Sequence, residues 1–347
     1  RLPLVEPSGT KQWTGSYTVE NPKAVSWKKP KFRYDPKVAT GRKVSKVVVV
    51  IYDPTIRSEG KRLTEVLKAN DPVEYSHILA NVIREASWGY INYQIVDVIR
   101  IDGFSKKVDG FRYQVEDYVR LWKAGKGFHD PDGTDYPRLI REHRVGPLVD
   151  SGRIDELWIF GGPYFGFWES AMAGPRAFYI NGGVYPEVPT KRPFAIMGFN
   201  YERGVAEMIH NLCHRTESTM ARVYGGWKAE ELTTNWARFA ANEKQSGTAA
   251  VGTCHYPPNA ESDYDYANPR TVMSNADDWL NYPNLKGTKK PVNRETWGGP
   301  DYHRNYMRWW FRHLPKAPGV NADGRLNDWW RYLFQFDAFD DRGRPRR

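Results

Sequence analysis

Two periods of apolar spacing alternate along this chain. Residues 46–52 (Lys-Val-Val-Val-Val-Ile-Tyr) form a continuous apolar run of strand length, the pattern of a strand buried on both faces. Residues 93–101, 155–161 and 194–199 read as three further strands. Between them the apolar positions recur at helical spacing over 61–69, 73–86, 113–124 and 136–150, the last interrupted near Gly146-Pro147. Asp71 or Asn70 caps the second of these, with Pro72 in its first turn. The strand at 194–199 feeds a helix over 203–220, and further helices are expected over 229–242, 302–313 and 326–336. Residues 252–268 read as a long loop with two prolines and three tyrosines, and 269–300 as irregular.

Strands alternating with helices predict an α/β fold with a mostly parallel sheet. Residues 1–43, rich in Pro, Lys and Gly, are expected as an extended N-terminal arm anchored by Trp13, Tyr17, Trp27 and Phe32. Residues 44–300 then form the α/β core, and 301–347 an aromatic-rich helical cap. Ligands in such sheets sit beyond the carboxyl ends of the strands, so the loops after Tyr52, Phe160 and Phe199 form the expected rim.

The helix at 203–220 starts from that rim and carries unusual chemistry. At about 100° per residue, Glu207, His210, His214 and Glu217 fall within an arc of roughly 80°. Val205, Met208, Ile209, Leu212 and Met220 lie opposite. Two imidazoles at i and i+4 can bind one metal ion from one helix face. The bland alternative is a solvated polar face with two satisfied histidines. A third alternative is acid–base chemistry without metal.

The two cysteines each precede a histidine: Cys213-His214 and Cys254-His255. A disulfide would hold their Cα atoms about 4.4–6.8 Å apart and bring His255 to the helix face. Unpaired, they would be two soft thiols beside three imidazoles, again a metal-like set, or two unrelated buried cysteines. The candidate ligand set is therefore His210, His214 and His255, with Glu207 and Glu217 as ligands, as orienting partners of the imidazoles, or as the base. A pair would need an oxidising compartment, so the expected location is secreted or periplasmic.

The spacing His210-Asn-Leu-Cys-His214 resembles the HExxH helix of the zincin metallopeptidases, over this one helix. By that resemblance His210 and His214 are zinc ligands. Asn211 stands where the zincin glutamate activates water, and an amide cannot take a proton, so either another carboxylate serves as base or the helix binds metal without peptidase chemistry. In zincins whose third ligand is a downstream glutamate, Glu230 or Glu231 would occupy that place, at a spacing somewhat too short.

Glu169 follows the glycine-rich strand exit at 161–166, among Tyr164, Phe165, Phe167 and Trp168. A carboxylate there suits acid–base work, and Glu202 or Glu207 could pair with it as in a glycoside hydrolase. Asp263 and Asp265 lie in an oxygen-rich loop that suits calcium, without EF-hand spacing. Fourteen Trp, 21 Tyr and 15 Phe exceed what plugging a core requires and leave rings to line a groove. The net charge of +10 is spread along the chain, which argues against nucleic acid as partner. No apolar run is long enough for a membrane span, and neither a Walker loop nor a Gly-x-Ser-x-Gly elbow occurs. The expected function is a secreted hydrolase using one divalent metal, zinc by its donors, on a polymeric peptide or polysaccharide. Glu207 or Glu169 would activate water. A metal-free glycoside hydrolase and a non-catalytic glycan- or surface-binding protein are the alternatives.

Overall fold

The computed structural model describes residues 43–227 and 231–346. The expected N-terminal arm therefore lies outside the described residues, apart from its last position. A six-stranded sheet organises the rest. In chain order its strands are β1 (Lys43–Tyr52), β2 (Ile91–Ile101), β3 (Glu156–Gly161), β4 (Ser170–Ala173), β5 (Val184–Tyr185) and β6 (Phe194–Asn200). The spatial order is β2-β1-β3-β6-β4-β5. The first four neighbours are parallel, β4 runs antiparallel to β6, and β5 runs parallel to β4. The α/β class and the largely parallel sheet thus follow the apolar runs. Val47–Ile51 are at most 1% exposed, as a strand covered on both faces requires. β4 was not foreseen: it has four residues, all buried, with no alternation to mark it.

Helices α1 (Pro72–Ala86), α2 (Val115–Ala124), α3 (Val205–Tyr224), α4 (Tyr302–Arg312) and α5 (Trp330–Phe334) cover the sheet and one another. Asp71 caps α1, its carboxylate accepting from the amides of Val73 and Glu74. The helical pattern at 136–150 splits into Tyr136–Glu142 and Val145–Asp150, hinged at Arg144 in the left-handed region. The break falls just before Gly146-Pro147, as the sequence indicates.

Three expectations on the C-terminal side need correction. Residues 326–336 are not one helix. Leu326–Asp328 is a buried strand paired with Lys316–Val320, and only Trp330–Phe334 is helical. Hairpin pairing with the preceding strand overrides local helical spacing there. Residues 269–300 are more regular than expected: Val272–Ser274 pairs with Lys290–Val292, flanked by short helical turns. The helix expected at 229–242 begins at Asn235, where the Thr234 hydroxyl caps it, and ends at Phe239.

α3 is the central helix. It starts at Gly204, whose amide donates to Glu207 Oε2, and stops at left-handed Gly225. On one side it packs on the sheet: Asn211 Nδ2 donates to Gly198 O of β6 at 2.9 Å. The buried Arg215 guanidinium grips Glu156 of β3 at 2.8 and 3.0 Å. On the other side α4 and α5 cover it. The polar arc of α3 is therefore partly covered, with His210 and Glu217 buried and Glu207 and His214 half-buried. Large rings fill this layer, with Trp236, Trp279, Trp310, Trp329 and Trp330 all at most 1% exposed. Among the described residues no helix is long and apolar enough to cross a membrane.

Candidate metal centre

Cys213 of α3 and Cys254 of the loop at 252–268 form a disulfide with Cα atoms 5.9 Å apart. Both are fully buried. The loop is also fixed by its backbone. The Trp310 indole donates to Gly252 O at 2.9 Å, the Tyr306 hydroxyl meets Val251 O at 3.0 Å and Thr253 O at 2.8 Å, and the Cys254 amide donates to Glu217 Oε1 at 2.7 Å. The residue after Cys254 is thereby delivered to the face of α3 that holds the residue after Cys213.

The imidazoles meet there. His210 Nε2 lies 2.9 Å from His214 Nε2, which lies 3.1 Å from His255 Nε2. One donor atom from each of the three rings falls within 4.8 Å of the others. Tetrahedral zinc with bonds of about 2.0–2.1 Å needs ligand nitrogens roughly 3.3 Å apart, so the cluster is of the right size. His210 is 4% exposed, while the side chains of His214 and His255 are 18% and 17% exposed, which leaves one side open to a small ligand.

The outer nitrogens determine what the inner ones offer. His214 Nδ1 faces Glu217 Oε2 at 3.2 Å, and His255 Nδ1 faces Asp263 Oδ1 at 3.0 Å. A carboxylate only accepts, so in each neutral ring the proton sits on Nδ1 and Nε2 carries a lone pair. Two such lone pairs 3.1 Å apart repel unless a cation or proton lies between them. Protonation is opposed at the buried end. Burial, with the neighbouring imidazoles adding to it, pushes His210 well below the usual histidine range, and burial takes His303 down to about 4. A divalent ion between them would resolve the conflict, and Glu217 and Asp263 would supply two negative charges to balance it.

His303 of α4 was missed in the sequence. Its Nε2 lies 2.9 Å from His210 Nδ1, and its ring stacks on Tyr266 at 4.5 Å between centroids. Tyr266 donates to Cys254 O at 2.7 Å. His303 therefore stands behind His210 as the carboxylates stand behind the other two rings. The sequence held no signal for it: 93 residues separate the pair, and only the packing of α4 on α3 brings them together.

The other candidates fall elsewhere. Glu217 is an orienting partner, 3% exposed. Glu207 and Glu169 are not hydrogen-bonded to the cluster. Both line a cavity of about 390 Å³, together with Asn211, Asn181 and Trp168, and none of the imidazoles is part of its lining. Residues three and four apart on a helix are neighbours, so Glu207 and Asn211 stand next to His210 and His214 on α3. Glu207 also caps that helix, and Glu169 Oε2 accepts from Asn181 Nδ2 at 2.7 Å. Asn211, in place of the zincin glutamate, ties α3 to the sheet and does no acid–base work. Glu202 lies outside the cavity lining. Glu231 is exposed, and Glu230 lies outside the described residues. Asp263 is engaged by His255, and Asp265 accepts from the Glu261 amide and Asn268 Nδ2, so both carboxylates help to order the loop. Glu217 also lies near both sulfurs, but these are bonded to each other and offer no thiolate.

Comparison with protein-family models and with curated proteins finds no match for this chain.

Proposed function

We propose that this chain is a metal-dependent hydrolase of a polymeric substrate, peptide or polysaccharide, with one divalent ion held by His210, His214 and His255. The observation that carries the reading is the convergence of three Nε2 atoms, two of them backed by carboxylates on Nδ1. Three neutral imidazoles and an open fourth position favour zinc. When bound, the ion would polarise the scissile group and make water acidic near neutral pH. The protein's own residues do the rest. Glu217 and Asp263 hold the imidazoles in the binding tautomer, and Glu207 or Glu169 takes the proton from water at the cavity edge. A disulfide fits a secreted or periplasmic location.

A metal-free glycoside hydrolase using Glu169 and Glu207 is the second reading, favoured by their sharing one cavity. Elemental analysis of protein purified without added metal separates the two. The expected result is close to one equivalent of a transition metal, lost in His214→Ala without loss of fold. A folded wild type that holds no metal and regains none on addition of zinc would overturn the metal reading.

A further inference from the structure

The cavity that Glu207, Met208 and Asn211 of α3 line has a construction of its own. Its lining combines half-buried rings, Tyr164, Phe167 and Trp168, with the amides of Asn181, Asn200 and Asn211. Two of its non-glycine residues are held in left-handed backbone: Tyr164 at φ 58 and Asn181 at φ 95. Such conformations are unfavourable for a residue with a side chain and persist where the surroundings enforce them. Asn181 is enforced by its bond to Glu169. Tyr164 is enforced by stacking on Phe128 at 3.6 Å and by Lys107 Nζ, which donates to its carbonyl at 2.7 Å.

Trp168 is seated between two glycines. A Cβ at Gly182 would come within 2.8 Å of Trp168 Cβ, and one at Gly198 within 2.2 Å of Trp168 O. Its amide donates to the Tyr136 hydroxyl at 2.7 Å. The backbone of Trp168 is thus held by Gly198 and by the buried Tyr136, and the base of its side chain lies against Gly182. A fixed aromatic face beside several amide and carboxylate groups matches a pyranose, which is apolar on its axial C–H face and carries hydroxyls around its edge. The charged lining is mainly acidic: Asp130, Asp132, Glu169 and Glu207 against Arg203. That balance repels uronates and phosphosugars and accepts neutral or amine-bearing rings.

We infer that this cavity is a sugar-ring subsite for a neutral or amine-bearing glycan, with Trp168 as platform and the Asn181–Glu169 pair gripping ring hydroxyls or an amine. This narrows the substrate of the proposed hydrolase and rests on that reading for the position of the cleaved bond, although binding itself needs no metal. Isothermal titration with neutral, amine-bearing and uronic trisaccharides, and with a Lys/Arg-containing peptide, tests it on wild type, metal-stripped wild type and His214→Ala. Neutral or amine-bearing sugars should bind all three forms alike, and uronic sugars and peptide at least tenfold more weakly. Trp168→Ala and Asn181→Gly should each lose at least tenfold, while Trp168→Phe keeps most of the affinity. Glu169→Gln should keep neutral sugars and lose the amine-bearing one. Absence of sugar binding at millimolar concentration, preference for peptide or uronate, or unchanged affinity in both the Trp168 and Asn181 variants would overturn the subsite. Metal content of the same samples is read separately, so failure of the metal centre is told apart from failure of the subsite.

Discussion

Removing the disulfide should weaken the fold far more than it weakens the metal centre. The bond joins residues 41 positions apart. Closing a loop of that length in the unfolded chain removes entropy worth about 4 kcal/mol near room temperature. Cys213→Ala/Cys254→Ala is the suitable variant, because both sites are fully buried and serine would bury an unpartnered hydroxyl. Once folded, the variant keeps the Trp310, Tyr306 and Glu217 bonds that hold residues 251–254, so His255 still reaches the cluster. Metal affinity should fall by about tenfold, the scale of a perturbed orienting partner, and by less than in His255→Ala. Urea denaturation in chelator, where metal binding cannot add to stability, gives the first quantity. Competition with a chromophoric chelator gives the second. A stability change under about 1 kcal/mol would refute the loop-entropy reasoning. A loss of metal affinity equal to that of His255→Ala would show that the hydrogen bonds do not hold the loop.

The remaining predictions concern single side chains. His303→Ala should lower metal affinity about 10- to 100-fold, and His303→Gln, which restores an acceptor for His210 Nδ1, should recover part of it; equal affinity in all three proteins would remove His303 from the site. Glu207→Gln and Glu169→Gln should both retain metal, and the one that acts as base should lose at least about a hundredfold in kcat; full turnover in both would leave the proton without an acceptor. Burial lifts the Asp328 carboxyl to about 6. The folded state therefore holds its proton more tightly than the unfolded one, and stability falls as pH rises from about 4 to about 6, then levels. The loss amounts to about 3 kcal/mol. Asp328→Asn keeps an acceptor for the Tyr90 hydroxyl, which bonds this carboxylate at 2.5 Å, and should flatten that segment of the difference curve. Parallel curves for wild type and variant would contradict the shift.

Local pattern determined a good deal of this protein. The unbroken apolar run at 47–51 set a strand buried on both faces, and the helical spacing between such runs set the α/β order, because both periods follow from backbone geometry alone. The arc of α3 put Glu207, His210, His214 and Glu217 on one side for the same reason. The paired Cys-His dipeptides brought His255 to that side, since a covalent bond between neighbours constrains distance whatever the rest of the chain does. Tertiary packing alone decided the rest. His303 joins the cluster through the packing of α4 on α3, and Asp263 through the folded shape of the loop it shares with His255. The antiparallel strand β4 depends on β6, more than twenty residues further along the chain, and Leu326–Asp328 is a strand only because it pairs back on Lys316–Val320. The division of the carboxylates, with Glu217 behind a histidine and Glu207 and Glu169 at a cavity, is likewise settled by what packs against each. Residue spacing specifies direction along an element, whereas burial and hydrogen-bond partners depend on neighbours that spacing does not encode.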